Sequence, residues 1–285
     1  MEIRATRGFT LIEMIVVIVI TGIIAGAVAV FIRLPVKGYI DAARRAEMTE
    51  VADTALRRMG RDLRLALPNS VRLADAGKTI EFLITKIGAR YRAFPSATGA
   101  TDFLDFTRPI TTFNFYGPLA TGVGQGIVAN DVVVIYNLGP GFTADAYAAG
   151  NSAVIAAPPT AVSPIENQIT FISSRQFLLE SPGSRFQVVE STVSYVCDTV
   201  AGTLTRYWGY PINPSQPNAA TLTSSAFSPN SALVAKNVTN CAFDYTPGIT
   251  ARLGVATLAI ELTTVNDGVN ESVKLYHEVH VTNVP

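Results

Sequence analysis

Residues 14–32 are nineteen consecutive positions without a charge, and the residue just before them is an acid, Glu13. As a helix rising about 1.5 Å per residue, the run is about 28 Å long, close to the thickness of a bilayer's hydrocarbon core. The segment can span a membrane. Glu13 is the constraint, because an ionised carboxylate inside the bilayer costs about 2.5–3.5 kcal/mol at its centre and needs a partner.

A secretory signal peptide has a similar outline: basic residues first (Arg4, Arg7), then apolar ones, then small residues such as Ala25, Ala27 and Ala29 for cleavage. The apolar run is longer than the roughly 7–15 residues of such a signal, and it carries a carboxylate at its leading edge. A plain transmembrane anchor explains the length. Neither reading explains Glu13.

The string Arg7-Gly8-Phe9-Thr10-Leu11-Ile12-Glu13 resembles the class III signal of type IV prepilins. The resemblance implies a leader at residues 1–8, cleavage between Gly8 and Phe9 by a prepilin peptidase that also methylates the new Phe9 amine, and Glu13 at the fifth position of the mature chain. In a filament, the Glu13 carboxylate of one subunit could then pair with the Phe9 ammonium of its neighbour. That pairing would offset the burial of both charges and fix the axial stagger.

The chain has 285 residues, 48% of them hydrophobic, enough for a substantial core. Lysine plus arginine and aspartate plus glutamate are equal at 22 each, so net charge gives no push toward nucleic acid, and no nucleic-acid partner is expected. Cys197 and Cys241 are the two cysteines, both beyond the membrane segment. On the exported side of a membrane, one disulfide between them is the simplest inference.

Beyond the apolar run, Val36, Tyr39, Ile40, Ala43, Val51, Ala55, Met59, Leu63 and Ala66 recur mostly three or four apart, describing one stripe of an amphipathic helix over 36–67. Asp41 to Arg45 and Asp53 to Arg57 add acid-to-base pairs four apart. Pro68 supplies the stop, whereas Gly22, Gly26 and Pro35 are expected to interrupt the helix or let it bend. Strands are predicted at 79–85, 131–137, 168–174, 186–197 and 203–208 from β-branched and aromatic content. A terminal hairpin with one buried face follows, its turn at 265–270. Long loops are expected at 88–131, 139–165 and 210–229, which are rich in glycine, proline, serine and alanine.

Sites with chemistry are sparse. His277 and His280 lie three apart in a predicted strand and so face opposite ways, His277 toward the apolar side; with no third ligand nearby, no metal site is expected. Asp102 and Asp105 read as turn acids rather than calcium ligands. The stretch Gly122-Val123-Gly124-Gln125-Gly126 lacks the spacing of a phosphate loop, and no serine or cysteine is linked to a histidine and an acid, so neither a cofactor nor an enzymatic activity is expected. Arg57, Arg61 and Arg64 form a basic stripe, read as a solvated or intra-filament face before an anionic-surface or DNA site. Tyr207, Trp208 and Tyr210 read as core and loop packing before a carbohydrate contact.

The strings at 33–41, 43–47, 52–59, 61–62 and 66–72, with the close Val279-His280-Val281-Thr282-Asn283-Val284-Pro285 and the two cysteines, are similar to minor pilins of the mannose-sensitive haemagglutinin (MSHA) type. That resemblance implies an α+β type IV pilin fold: a long N-terminal α-helix packed on an antiparallel β-sheet head with long loops, and a disulfide in the C-terminal region. It implies four segments, the leader at 1–8, the apolar assembly half of the helix at 9–35, its amphipathic half at 36–67 and a β-rich head at 68–285. The implied partners are prepilin peptidase, other major and minor pilins, the inner-membrane assembly platform, and the membrane itself through residues 14–32. The implied course is a single-pass inner-membrane protein with a periplasmic head, later part of a pilus, with a large head favouring initiation at or near the tip. A minor pseudopilin of type II secretion, or a head with adhesive or DNA-binding activity, are the rival expectations.

Overall fold

The computed structural model describes residues 8–97, 102–118, 126–224, 227–247, 253–266 and 268–283. The chain divides into two compact units, residues 1–50 and 51–285, with the division inside the first helix.

Helix α1 (Leu11–Arg64) continues through Gly22, Gly26 and Pro35 without a break. The expected interruption is absent because one lost proline N–H and about 1 kcal/mol per glycine are small against the hydrogen-bond ladder of a 54-residue helix. The helix ends three residues before the predicted stop at Leu67. Its chain first tightens, with Leu65 N–H on the Asp62 carbonyl at 3.0 Å and Ala66 N–H on that of Leu63 at 3.2 Å. Leu67 N–H then reaches the Leu83 carbonyl at 2.7 Å, so sheet pairing takes over before Pro68 is met.

In the second unit the strands are β1 (Arg72–Ala74), β2 (Thr79–Tyr91), β3 (Ile110–Tyr116), β4 (Val132–Val134), β5 (Ser152–Ser163), β6 (Glu166–Arg175), β7 (Arg185–Asp198), β8 (Thr203–Trp208), β9 (Asn230–Lys236), β10 (Val238–Thr246), β11 (Gly254–Asn266) and β12 (Val269–Val281), with a short helix α2 (Ala219–Leu222) before β9. They form a nine-stranded sheet in the order β1-β2-β3-β6-β5-β4-β7-β8-β9 and a three-stranded sheet β10-β11-β12. Because β7 also pairs with β2, from Thr79↔Val196 to Arg90↔Arg185, six strands of the large sheet close into an antiparallel ring. Closure removes edges that would otherwise invite pairing with other chains.

The ring is filled by Phe113, Phe115, Ile155, Ile169, Phe171, Phe186 and Val188, all 4% exposed or less. Phe186 meets Phe113 and Phe115 edge-on at 5.3 and 5.5 Å between centroids, pairs worth about 0.5–1.5 kcal/mol each beyond their burial. The last turns of α1 bury Ala52, Ala55, Leu56, Met59 and Leu63, one stripe at helical spacing. Gly60 lets the helix approach β12, since a Cβ there would lie 3.1 Å from His277 Nε2 and 3.3 Å from Val279 Cγ2.

Two predicted loops contain strands. In 88–131, β2 runs on to Tyr91 and β3 pairs with β6, burying Ile110, Phe113 and Phe115. In 139–165, β5 carries Pro158 and Pro159; the ladder to β6 absorbs them by register shifts between Ile155 and Thr160, and the strand is mostly exposed from Ala156 onward. Among its described residues, the loop at 210–229 holds α2, capped by Asn218, whose side chain accepts from Thr221 N–H at 2.8 Å. Conversely, the strand expected at 131–137 shrinks to β4, because Asp131 turns to Lys86 at 3.1 Å and Tyr136 takes a positive φ of 48°. The terminal hairpin pairs from Gly254↔Val281 to Asn266↔Val269, with Leu258, Ile260 and Leu262 buried.

Candidate processing and assembly site

Gly8, Phe9 and Thr10 lie outside regular structure immediately before α1, and the Phe9 side chain is 80% exposed. A Cβ at Gly8 would meet nothing within 4 Å. The first turn of the helix is fixed by Thr10, whose hydroxyl accepts from Glu13 N–H at 3.3 Å. Thr10-Leu11-Ile12-Glu13 therefore has the spacing of a capping box, a signal readable in the sequence and absent from the reading above. Glu13 also places a negative charge in the first turn, where the helix dipole favours it. Its carboxylate is exposed and has no partner among the described residues.

Along the following run, Ile12, Ile15, Val17, Ile18 and Ile20, which point around the whole circumference at helical spacing, are each about half exposed or more, so apolar side chains face outward on every side of the helix. The apolar stretch has a mean hydropathy of 3.0 over its best window, none of it buried, and is long and apolar enough to cross a membrane. Thr21, the polar side chain inside it, gives its hydroxyl proton to the Val17 carbonyl, leaving no donor unpaired in an apolar medium. The arrangement is a short non-helical lead holding Gly8 and Phe9, a capped turn holding Glu13, and an uncovered apolar cylinder.

In the second unit, polar groups tie distant segments together. Asp62 of α1 accepts from Tyr195 of β7 at 2.8 Å and from Arg206 Nε of β8 at 2.7 Å. Cys197 of β7 and Cys241 of β10 form a disulfide, with Cα atoms 6.3 Å apart, which joins the nine-stranded sheet to the three-stranded one. Glu81 of β2 is fully buried; Arg72 Nε donates to it at 2.7 Å and the Tyr210 hydroxyl at 3.1 Å. Burial pushes the Glu81 carboxyl above its ordinary value, against the opposing pull of Arg72 and Tyr210. Arg72 also donates to the carbonyls of Asn213 and Pro214 at 2.7 and 2.8 Å and stacks on the Tyr147 ring, fastening the proline-rich segment after β8.

The other residues singled out from the sequence are dispersed. Arg57, Arg61 and Arg64 are exposed and line a hollow of about 630 Å³ with Gly60 and His277; Arg57 is paired with Asp53 at 2.7 Å. His277 is half-buried and His280 exposed, on opposite faces of β12. Asp102 accepts from Ser96 N–H at 3.2 Å, and Asp105 from the Thr107 hydroxyl at 2.6 Å, Arg108 Nε at 2.6 Å and Thr107 N–H at 2.9 Å, which together hold the Asp105 carboxyl down at about 2. Tyr210 is buried, Tyr207 packs beside it and Trp208 lies under the Arg206 guanidinium at 4.8 Å. Positions 122–125 of the glycine-rich stretch and the leader up to residue 7 lie outside the described residues.

Residues 3–29 match the family model of the prokaryotic N-terminal methylation motif. No curated protein and no solved structure matches the chain. The motif, continuous with an unburied apolar helix, indicates a type IV pilin-like protein, pilin or pseudopilin, that is processed by prepilin peptidase and assembles with other pilins. The long N-terminal helix followed by an antiparallel, sheet-rich body fits an α+β pilin-like layout, and the apolar helix fits a membrane-anchored pilin.

Proposed function

We propose that the chain is a minor type IV pilin of the MSHA type, similar to the pilin MshO, cut between Gly8 and Phe9, N-methylated at Phe9, and used in pilus initiation at or near the tip. The observation that carries this reading is the juxtaposition at the start of α1: an accessible Gly8-Phe9 lead, a Glu13 carboxylate without a partner among the described residues, and an apolar helix with no covered side along its charge-free run. A lone carboxylate at the head of a membrane helix costs free energy unless a cation from another molecule meets it, and the Phe9 ammonium released by cleavage is such a cation. Before assembly the helix anchors the chain in the inner membrane with the head in the periplasm, where the Cys197–Cys241 disulfide can form and persist.

The size of the head supports a terminal position. A unit of residues 51–285 with a closed strand ring and a second sheet is bulk that a tip tolerates and a repeating lattice must accommodate at every step. No enzymatic role is assigned. Deletion of the chain in its host tests the reading: loss or shortening of pili with normal protein secretion is the expected result, while intact pili with lost exoprotein secretion would move the chain to the pseudopilins.

A further inference from the structure

Arg90 of β2 and Arg185 of β7 are directly opposed in the antiparallel ladder, and both are exposed. Directly opposed side chains have Cβ atoms about 4.5–5.5 Å apart, and like charges in that position are destabilising. No acid pairs with either guanidinium among the described residues. On the other side of Arg90, Tyr116 of β3 is its ladder partner, so Tyr116, Arg90 and Arg185 form one row across three neighbouring strands.

The row is flanked by aromatic surface. Tyr116 is 39% and Phe94 80% exposed, although apolar rings of this size are ordinarily covered. Arg92 lies 5.5 Å from the Tyr116 ring centroid and is itself engaged by Glu166 and, at 3.9 Å, by Asp102, so it props the ring rather than adding free charge. Two open hollows meet at Arg90, one of about 380 Å³ reaching to Phe94 and Tyr116, the other of about 270 Å³ reaching to Gly88 and Gln187.

We propose that Arg90 and Arg185, with the exposed rings of Tyr116 and Phe94, form a binding site for an acidic saccharide, a chain of uronic acid units. Adjacent guanidinium forks match the two oxygens of a carboxylate and hold it bidentately. Aromatic faces pack on the apolar face of a sugar ring. Two hollows side by side, open at their ends, suit consecutive sugar units crossing the strands. A nucleic acid requires a longer basic track than two free arginines in a chain of balanced charge, and an acidic peptide leaves the rings unused.

The test is calorimetric titration of the full processed chain in detergent micelles with oligogalacturonate, neutral maltooligosaccharide, oligoglutamate and oligothymidylate. Oligogalacturonate is expected to bind and the neutral sugar not to. Arg90→Gln and Arg185→Gln are each expected to weaken binding by about tenfold or more, the loss of one charge-assisted pair, and Phe94→Ser to weaken it while leaving the charge in place. The melting temperature of Arg90→Gln should equal or exceed that of the parent, since the substitution relieves the opposed charges. No binding, binding indifferent to both arginine variants, binding of oligoglutamate or oligothymidylate as tight as that of the uronate, or a lowered melting temperature in Arg90→Gln would each overturn the proposal.

Discussion

Asp62 and Arg206, 144 residues apart in sequence, meet at 2.7 Å between carboxylate Oδ2 and Nε, with their side chains 18% and 13% exposed. The Tyr195 hydroxyl shares the same oxygen, and burial together with the Asp62 charge pushes that phenol's pKa up. Asp62→Ala strands one cation and one hydroxyl at the junction of α1 with β7 and β8. The expected cost is about 2–3 kcal/mol, seen as a lower thermal midpoint of the full chain in detergent. Tyr195→Phe, which leaves the ion pair in place, should cost about 1 kcal/mol.

The Cys197–Cys241 disulfide closes a span of 44 residues that includes Pro211, Pro214 and Pro217. On the chain-entropy model such a closure contributes about 4 kcal/mol. Reduction, or Cys197→Ser with Cys241→Ser, should lower denaturant stability by that order. An unchanged midpoint would mean that the two sheets hold together without it.

Glu81 makes stability depend on pH in a direction opposite to that of most carboxylates. Its folded-state pKa stands above the ordinary value of 4.5 because burial disfavours the charge, so the folded chain holds the proton more tightly than the unfolded one. The contribution is fully present below 4.5 and is lost as pH rises through the raised folded value. Glu81→Gln removes this titration. The parent should gain stability on the variant as pH falls from 7 toward 4.5, and a pH-independent difference between the two melting curves would contradict this account.

Glu13 carries the assembly claim. Glu13→Ala should leave cleavage intact and sharply reduce the fraction of the chain recovered in sheared pili, whereas Gly8→Ala should block cleavage itself. Normal incorporation of Glu13→Ala would remove the pairing role.

The parts of the fold legible in the sequence are those set by local pattern. The charge-free run, the Ala55, Met59 and Leu63 part of the α1 stripe and the terminal hairpin follow from spacing, and strand β8 from its β-branched and aromatic content; Val36, Tyr39, Ile40 and Ala43, expected on the same stripe, are exposed. Strand β5 was hidden by Pro158 and Pro159, which a buried strand excludes and an irregular, exposed one tolerates. Strand β3 was readable only in the short alternation Phe113-Asn114-Phe115, because Ile110 is out of phase across a register shift before Thr112, and the glycine and proline around it favoured a loop. The ring closure depends on partners about a hundred positions away, and Asp62 with Arg206 and Glu81 with Tyr210 on partners still farther off; no local pattern announces them. At the candidate site, Gly8, Phe9 and Glu13 were legible as a motif; the Thr10 cap was legible too, by its spacing to Glu13.

The most direct measurement is the mass of the N-terminal peptide of the chain purified from its host. The account predicts that it begins at Phe9 and carries one added methyl group on its amine. A chain that begins at Met1, or at any residue after the apolar run, would contradict it.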